Sequence, residues 1–148
     1  MLASQVAKMQ YVQDGNDFMQ IVGPGGAIYY AINEKGGYQV KPTLIAVDGA
    51  INPKVPGYFV ITKGSAAALT LAAPTAGVDD GLEIEISART AFAHVITATG
   101  LLVTATANVN TITFPTSAGG TAYLTADNGK WIVAVGSTVG GAGNFLFA

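Results

Sequence analysis

Short apolar runs, punctuated by glycine and proline every 8–12 residues or so, fill this chain and leave no interval long enough for a crossover helix. Leu82-Glu83-Ile84-Glu85-Ile86-Ser87 alternates strictly, so Leu82, Ile84 and Ile86 share one face and the glutamates and Ser87 share the other. Asp127-Asn128-Gly129 joins a strand over Ala122–Ala126 to another over Lys130–Val135. The Asn-Gly pair supplies the positive φ angles of a tight hairpin. Trp131 alternates with Val133 and Val135, the pattern of a core residue. Further strands are expected at Phe18–Val22, Ala27–Ile32, Tyr38–Val40, Leu44–Val47, Tyr58–Thr62, Ala68–Leu71, His94–Thr97, Leu101–Ala105, Thr111–Phe114 and Asn144–Phe147. Thr99-Gly100 reads as a turn, and nothing repeats at a fixed period. The expected fold is all-β, a β-sandwich of jelly-roll type.

Asp48–Gly57 holds Pro53, Pro56 and two glycines and reads as a loop and a seam. Residues 1–57 are then an N-terminal arm with the first strands, and residues 58–148 the main sandwich body, within a single domain overall. Leu2–Val12 is the one stretch with helical potential. It has no convincing cap or amphipathic pattern, so an extended arm held by a partner is the expectation.

Composition narrows the function. Charged residues are 11% of the chain, against roughly 25% in an ordinary soluble domain. A surface this poor in ionic groups suits one covered by other copies or another protein. Net charge is −2 and Arg89 is the only arginine, which argues against nucleic-acid binding. No apolar stretch of about 18 residues suggests a membrane helix. The first ten residues lack the apolar segment of a signal peptide, so synthesis and assembly in a cytoplasm are expected.

Residues that carry chemistry are few. With no cysteine and only His94, neither the usual zinc constellations nor a disulfide framework can be drawn. His94 lies in a strand-like run among small and apolar neighbours, where a packed or hydrogen-bonded histidine is the simpler reading than a general base. Asp79, Asp80, Glu83 and Glu85 form the only acidic cluster. Calcium at the Asp79-Asp80-Gly81 turn is conceivable, but the EF-hand spacing is missing. Neither Gly23-Pro24-Gly25-Gly26 nor the glycines of 136–143 have the spacing of a phosphate loop. No catalytic, cofactor-binding or metal-ligating residue is therefore assigned, and the chain is not expected to be an enzyme. The aromatics Tyr11, Phe18, Tyr29, Tyr30 and Tyr38 are candidate interface residues, because such side chains are enriched where proteins meet.

The run Gly64-Ser65-Ala66-Ala67-Ala68-Leu69-Thr70-Leu71-Ala72-Ala73-Pro74-Thr75-Ala76-Gly77 leads to Asp79-Asp80-Gly81. Ala91-Phe92-Ala93-His94-Val95-Ile96-Thr97 and Asp127-Asn128-Gly129-Lys130-Trp131 follow. Together, over roughly Tyr58 to Gly136, they resemble a module of tailed-bacteriophage virion proteins that includes small capsid decoration (cement) proteins and some fibre-associated proteins. The resemblance implies an all-β virion protein, a dimer or trimer, that sits on the outer capsid surface and bridges major capsid protein subunits without catalysis. The alternative it leaves open is a tail or fibre module that recognises a host carbohydrate. Residues 1–56 match nothing in that pattern.

Overall fold

The computed structural model describes residues 8–11, 17–22, 28–33, 38–53, 57–105, 107–136 and 144–148, all in strands, turns and irregular chain. Contacts divide the chain into two compact units, Met1–Pro42 and Thr43–Ala148. The division lies ahead of the Asp48–Gly57 seam read from sequence. The reason is that the strands on either side of Asp48 pair with the body that follows.

The first unit contains an antiparallel meander of β1 (Lys8–Tyr11), β2 (Asp17–Val22), β3 (Ile28–Asn33) and β4 (Tyr38–Val40). Part of the expected arm, Lys8–Tyr11, is thus a paired strand, while residues 1–7 lie outside the described residues. Gln20 and Ala31 are buried on one face, and Met19, Ile21, Tyr30 and Ile32 are half-buried on the other.

The second unit starts with three strand–bend–strand arches. They are β5 (Thr43–Ile45) with β6 (Gly49–Ile51), β7 (Tyr58–Ile61) with β8 (Ala68–Leu71), and β9 (Glu83–Ala88) with β10 (Val95–Val103). The first strands of the arches pair in parallel as β5–β7–β9, and the second strands pair in parallel as β6–β8–β10. Parallel neighbours ordinarily need a crossover of a dozen or more residues, usually helical. Here each crossover is a strand of the other ladder. Alternation makes this workable. Phe59, Ile61, Ile84, Ile86 and Ala88 from one ladder meet Ile51, Leu69, Leu71, Ile96 and Ala98 from the other in a single core cluster. Fully burying each large apolar side chain there contributes about 1.5–3 kcal/mol before the entropy cost of ordering it.

Two hairpins close the far side. β11 (Asn108–Thr113) runs antiparallel to β10, and β14 (Leu146–Phe147) pairs with β11. β12 (Thr121–Asp127) pairs antiparallel with β9 and with β13 (Lys130–Gly136), whose Trp131 and Ile132 lie in parallel beside Leu102 and Val103 of β10. β10 thereby joins the two ladders on this side.

The Asn128–Gly129 hairpin forms as read, with φ of 46° and 77° at its two central residues. The Thr99-Gly100 turn does not: β10 runs through it as one strand with an irregularity between Thr97 and Leu102. Gly100 takes φ 71°, and the Asn110 side chain accepts its amide hydrogen at 2.8 Å, so the distorted position keeps a hydrogen bond. β6, inside the expected Asp48–Gly57 loop, went unread because only Ile51 of its three residues is buried. A jelly roll pairs its strands antiparallel; five pairings here are parallel.

Candidate functional site

Among the described residues, no further strand pairs on the opposite side of the arch stack. β5 ends one ladder and β6 ends the other, so two neighbouring strands present unpaired edges among the described residues. Between them lies a cleft of about 300 Å³ lined by β5, β6 and the bend joining them, and floored by Phe59 and Leu69 of the next arch. Leu44 and Val47 stand on its rim, 58% and 70% exposed.

Among the described residues lining this cleft Asp48 is the only charged one, and its charge is already partnered. Its Oδ1 accepts from Lys63 Nζ at 2.6 Å and from the Ala68 amide at 2.7 Å. Those two bonds hold the Asp48 carboxyl below its ordinary pKa of 3.8, the Lys63 bond contributing most. The cleft therefore offers an apolar floor with little free charge, which favours an uncharged, apolar occupant.

The Asp48 contact is one end of a polar seam that stitches the three arch bends together. Thr62 donates its amide to the Ile45 carbonyl at 2.8 Å, and Arg89 donates its amide to the Ile61 carbonyl at 2.9 Å. At the centre is His94, 0% exposed. Its Nδ1 accepts the Ala67 amide hydrogen at 3.0 Å, which places the ring proton on Nε2. Nε2 then donates to Thr90 Oγ1 at 3.0 Å, and Thr90 passes a hydrogen bond to the Lys63 carbonyl at 2.8 Å. The Ala67–His94 and Lys63–Thr90 bonds each span 27 residues, which is the offset between the second and third arches. Phe92 and Phe114 pack against the ring in T-shaped contacts. Burial lowers the His94 pKa below 6.5, and the positive charge of Lys63 acts in the same direction, against the Thr90 carbonyl, which lies 3.3 Å from Nε2.

The acidic turn is bound up internally. Asp79 Oδ2 accepts the Thr75 amide at 2.7 Å. Asp80 accepts from Gly77 at 3.1 Å and, across to the hairpin tip, from Asn128 at 2.8 Å. Glu83 is exposed on β9 and Glu85 half-buried, accepting from Ser87 at 3.4 Å. Among the described residues no group of three His, Asp or Glu is placed to hold a metal ion. Trp131 is in the core, its indole N–H donating to the Ala72 carbonyl at 2.9 Å.

Of the candidate interface aromatics, Tyr30 is half-buried and lines a second cleft of about 300 Å³ in the first unit with Met19, Ile21, Ala31 and Ile32. Tyr11, Phe18, Tyr29 and Tyr38 fall in β1, β2, β3 and β4, and their side chains lie outside the described residues. Asp48, Lys63 and Thr90 escaped the sequence reading. They sit in three separate bends, and no motif spacing links them before the arches stack.

No protein-family model matches this chain, and neither does any curated protein compared with it.

Proposed function

We propose that this chain is a virion structural protein that binds the outer surface of a tailed-bacteriophage capsid and stabilises contacts between major capsid protein subunits. The observation that carries the reading is the open side of the arch stack, where two edge strands flank an apolar cleft with Leu44 and Val47 on its rim. A partner segment laid along such an edge gains backbone hydrogen bonds, and one apolar side chain placed in the cleft adds burial. Pro42 just before β5 and Pro53 just after β6 confine the added pairing to about three residues a side. Each site is then weak alone, and a dimer or trimer multiplies it by valency. The low charge of the chain and its resemblance to decoration proteins support the same reading. On this reading the body is a β-sandwich; the chain's start serves as an arm, Tyr11, Phe18, Tyr29, Tyr30 and Tyr38 serve interfaces, and the work is mechanical, with no catalysis or cofactor.

The test is co-sedimentation with empty shells assembled from the major capsid protein of its own virion. Saturable binding is expected, with shells that withstand more heating. Leu44→Asp and Val47→Asp should abolish binding while far-UV circular dichroism stays unchanged. Undiminished binding by both variants would remove the cleft from the mechanism, and no binding by the folded wild type would sink the reading.

One observation favours the carbohydrate alternative. Tyr123 is 47% exposed on β12, with Glu85, Thr121 and Thr125 around it on the same outward face. A glycan array separates the two readings, because the capsid reading predicts no Tyr123-dependent signal.

A further inference from the structure

We infer that His94 is an acid-operated latch on the open end of the arch stack: a proton taken up at Nδ1 releases the Ala67 amide and unstitches the second bend from the third. The consequence for capsid docking rests on the reading of the β5–β6 cleft given above; the latch itself does not.

The geometry makes the neutral ring a structural requirement. Nδ1 holds the Ala67 N–H as an acceptor, and a protonated Nδ1 can only donate. Two N–H donors would then face each other at 3.0 Å in a site closed to water. Phe92 and Phe114 meet the ring in T-shaped contacts, 6.2 and 6.4 Å between centroids, and carry no oxygen or nitrogen acceptor. The charged groups near this site are also unhelpful. Lys63, on the bend between β7 and β8, is positive, and Asp48, on the bend between β5 and β6, is already bonded to it. Arg89, on the chain leading from β9, adds no negative charge.

The release travels to the cleft by neighbouring residues. Ala67 is held through His94, and Ala68, the next residue, is held by Asp48 on the cleft wall. The Val95 amide also donates to the Ala67 carbonyl at 2.8 Å, so both backbone groups of Ala67 depend on the start of β10. Ala68 opens β8, the strand that supports β6 through the Gly49↔Leu69 to Ile51↔Leu71 register. Loss of the Ala67 anchor therefore loosens the support of one cleft wall.

The sign follows from the lowered pKa. Well above 6.5 the ring is neutral in folded and unfolded chains alike, and the latch is closed. As pH falls below 6.5 the unfolded or locally opened chain binds the proton more readily, so opening is favoured down to the folded-state pKa. Asp48 stays ionised through this window because its own pKa lies below 3.8. With one histidine in the chain, the step has a single source.

The experiment uses the full chain, with ring ¹⁵N spectra of His94 and backbone amide exchange read together from about pH 7 to about pH 5. The neutral Nε2–H tautomer is expected at the upper end. Protection factors at Ala67 and Ala68 should fall about tenfold as the ring protonates, while Leu124 in β12 holds its protection. His94→Asn sets a non-titrating amide oxygen near the Nδ1 position and should flatten the pH dependence. Protonation without loss of protection at Ala67, or the same loss in the Asn variant, would overturn the latch. The wild-type titration decides the matter even where the variant fails to fold. Shell co-sedimentation at both pH values is the separate arm: wild type that binds at neither pH overturns the docking reading and leaves the exchange result to judge the latch.

Discussion

Replacing Trp131 measures how firmly the closing hairpin is tied to the arch stack. The indole is 0% exposed, lies beside Leu102 in the β10–β13 register and opposite Ala126 of β12, and its N–H reaches the Ala72 carbonyl just past β8. Trp131→Ala removes the largest fully buried side chain and leaves the surrounding strands unable to collapse fully. The expected cost is about 4 kcal/mol. At about 3 °C per kcal/mol for a chain of this length, Tm should fall about 12 °C. Trp131→Phe keeps an aromatic ring but strands the Ala72 carbonyl and leaves a smaller void. It should cost about 1–2 kcal/mol. Trp131 is the only tryptophan, so unfolding in urea must be followed by circular dichroism at the strand band and not by tryptophan fluorescence. An alanine variant destabilised by less than about 1 kcal/mol would refute the placement of this ring as the joint between hairpin and arches. A phenylalanine variant as damaged as alanine would show that the hydrogen bond, and not the volume, decides the site.

Two further substitutions probe the contacts that set the stack. A Cβ at Gly57 would run into the Glu83 carbonyl oxygen, beside the bond from the Glu85 amide to the Gly57 carbonyl, so Gly57→Ala should destabilise by about 1–3 kcal/mol in the same urea assay. Asp80→Ala frees the Gly77 and Asn128 amides at an exposed site and should cost about 1 kcal/mol, with Asp80→Asn losing about half of that; no difference from wild type by thermal denaturation would show that the turn and the hairpin tip hold each other by other means.

The strands were legible where burial is one-sided. In β9 and β12 every second residue is in the core, and period two in the sequence reports that directly. The Asn128–Gly129 hairpin was legible because its positive φ values restrict the residue choice. Partner choice was not legible. Alternation says which face of Ile84 is buried and nothing about whether its neighbour runs parallel, so the three stacked arches read as a simple succession of strands. Gly100 misled for the opposite reason. A glycine at positive φ suits a turn and a strand irregularity equally, and only the Asn110 amide acceptor distinguishes them. The candidate site suffered most. Leu44 and Val47 look like ordinary strand residues, Lys63 and His94 acquire their relation only through the 27-residue offset between the second and third arches, and Asp48 meets Lys63 and Ala68 across 15 and 20 residues.

Arch stacking also explains why the two sides of the body differ chemically. On the β13 side, β10 pairs with β8 of its own ladder and with β13, which leads through β12 to the other ladder, and the sheet edge left there is the two-residue β14. On the β5 side the described chain reaches β5 directly from Lys41-Pro42 and adds no further strand to either ladder. The stack therefore ends there with unpaired strands, as a solenoid does without its terminal cap. Proteins usually blunt such an end with charge, proline or a bulge. Here proline brackets the strands, but the rim is Leu44 and Val47 and the one carboxylate is turned onto Lys63. An end guarded against indefinite strand addition, yet left apolar, is suited to a partner that supplies a short segment and an apolar side chain. That combination, more than the low charge of the chain as a whole, is what supports the proposed role in contact.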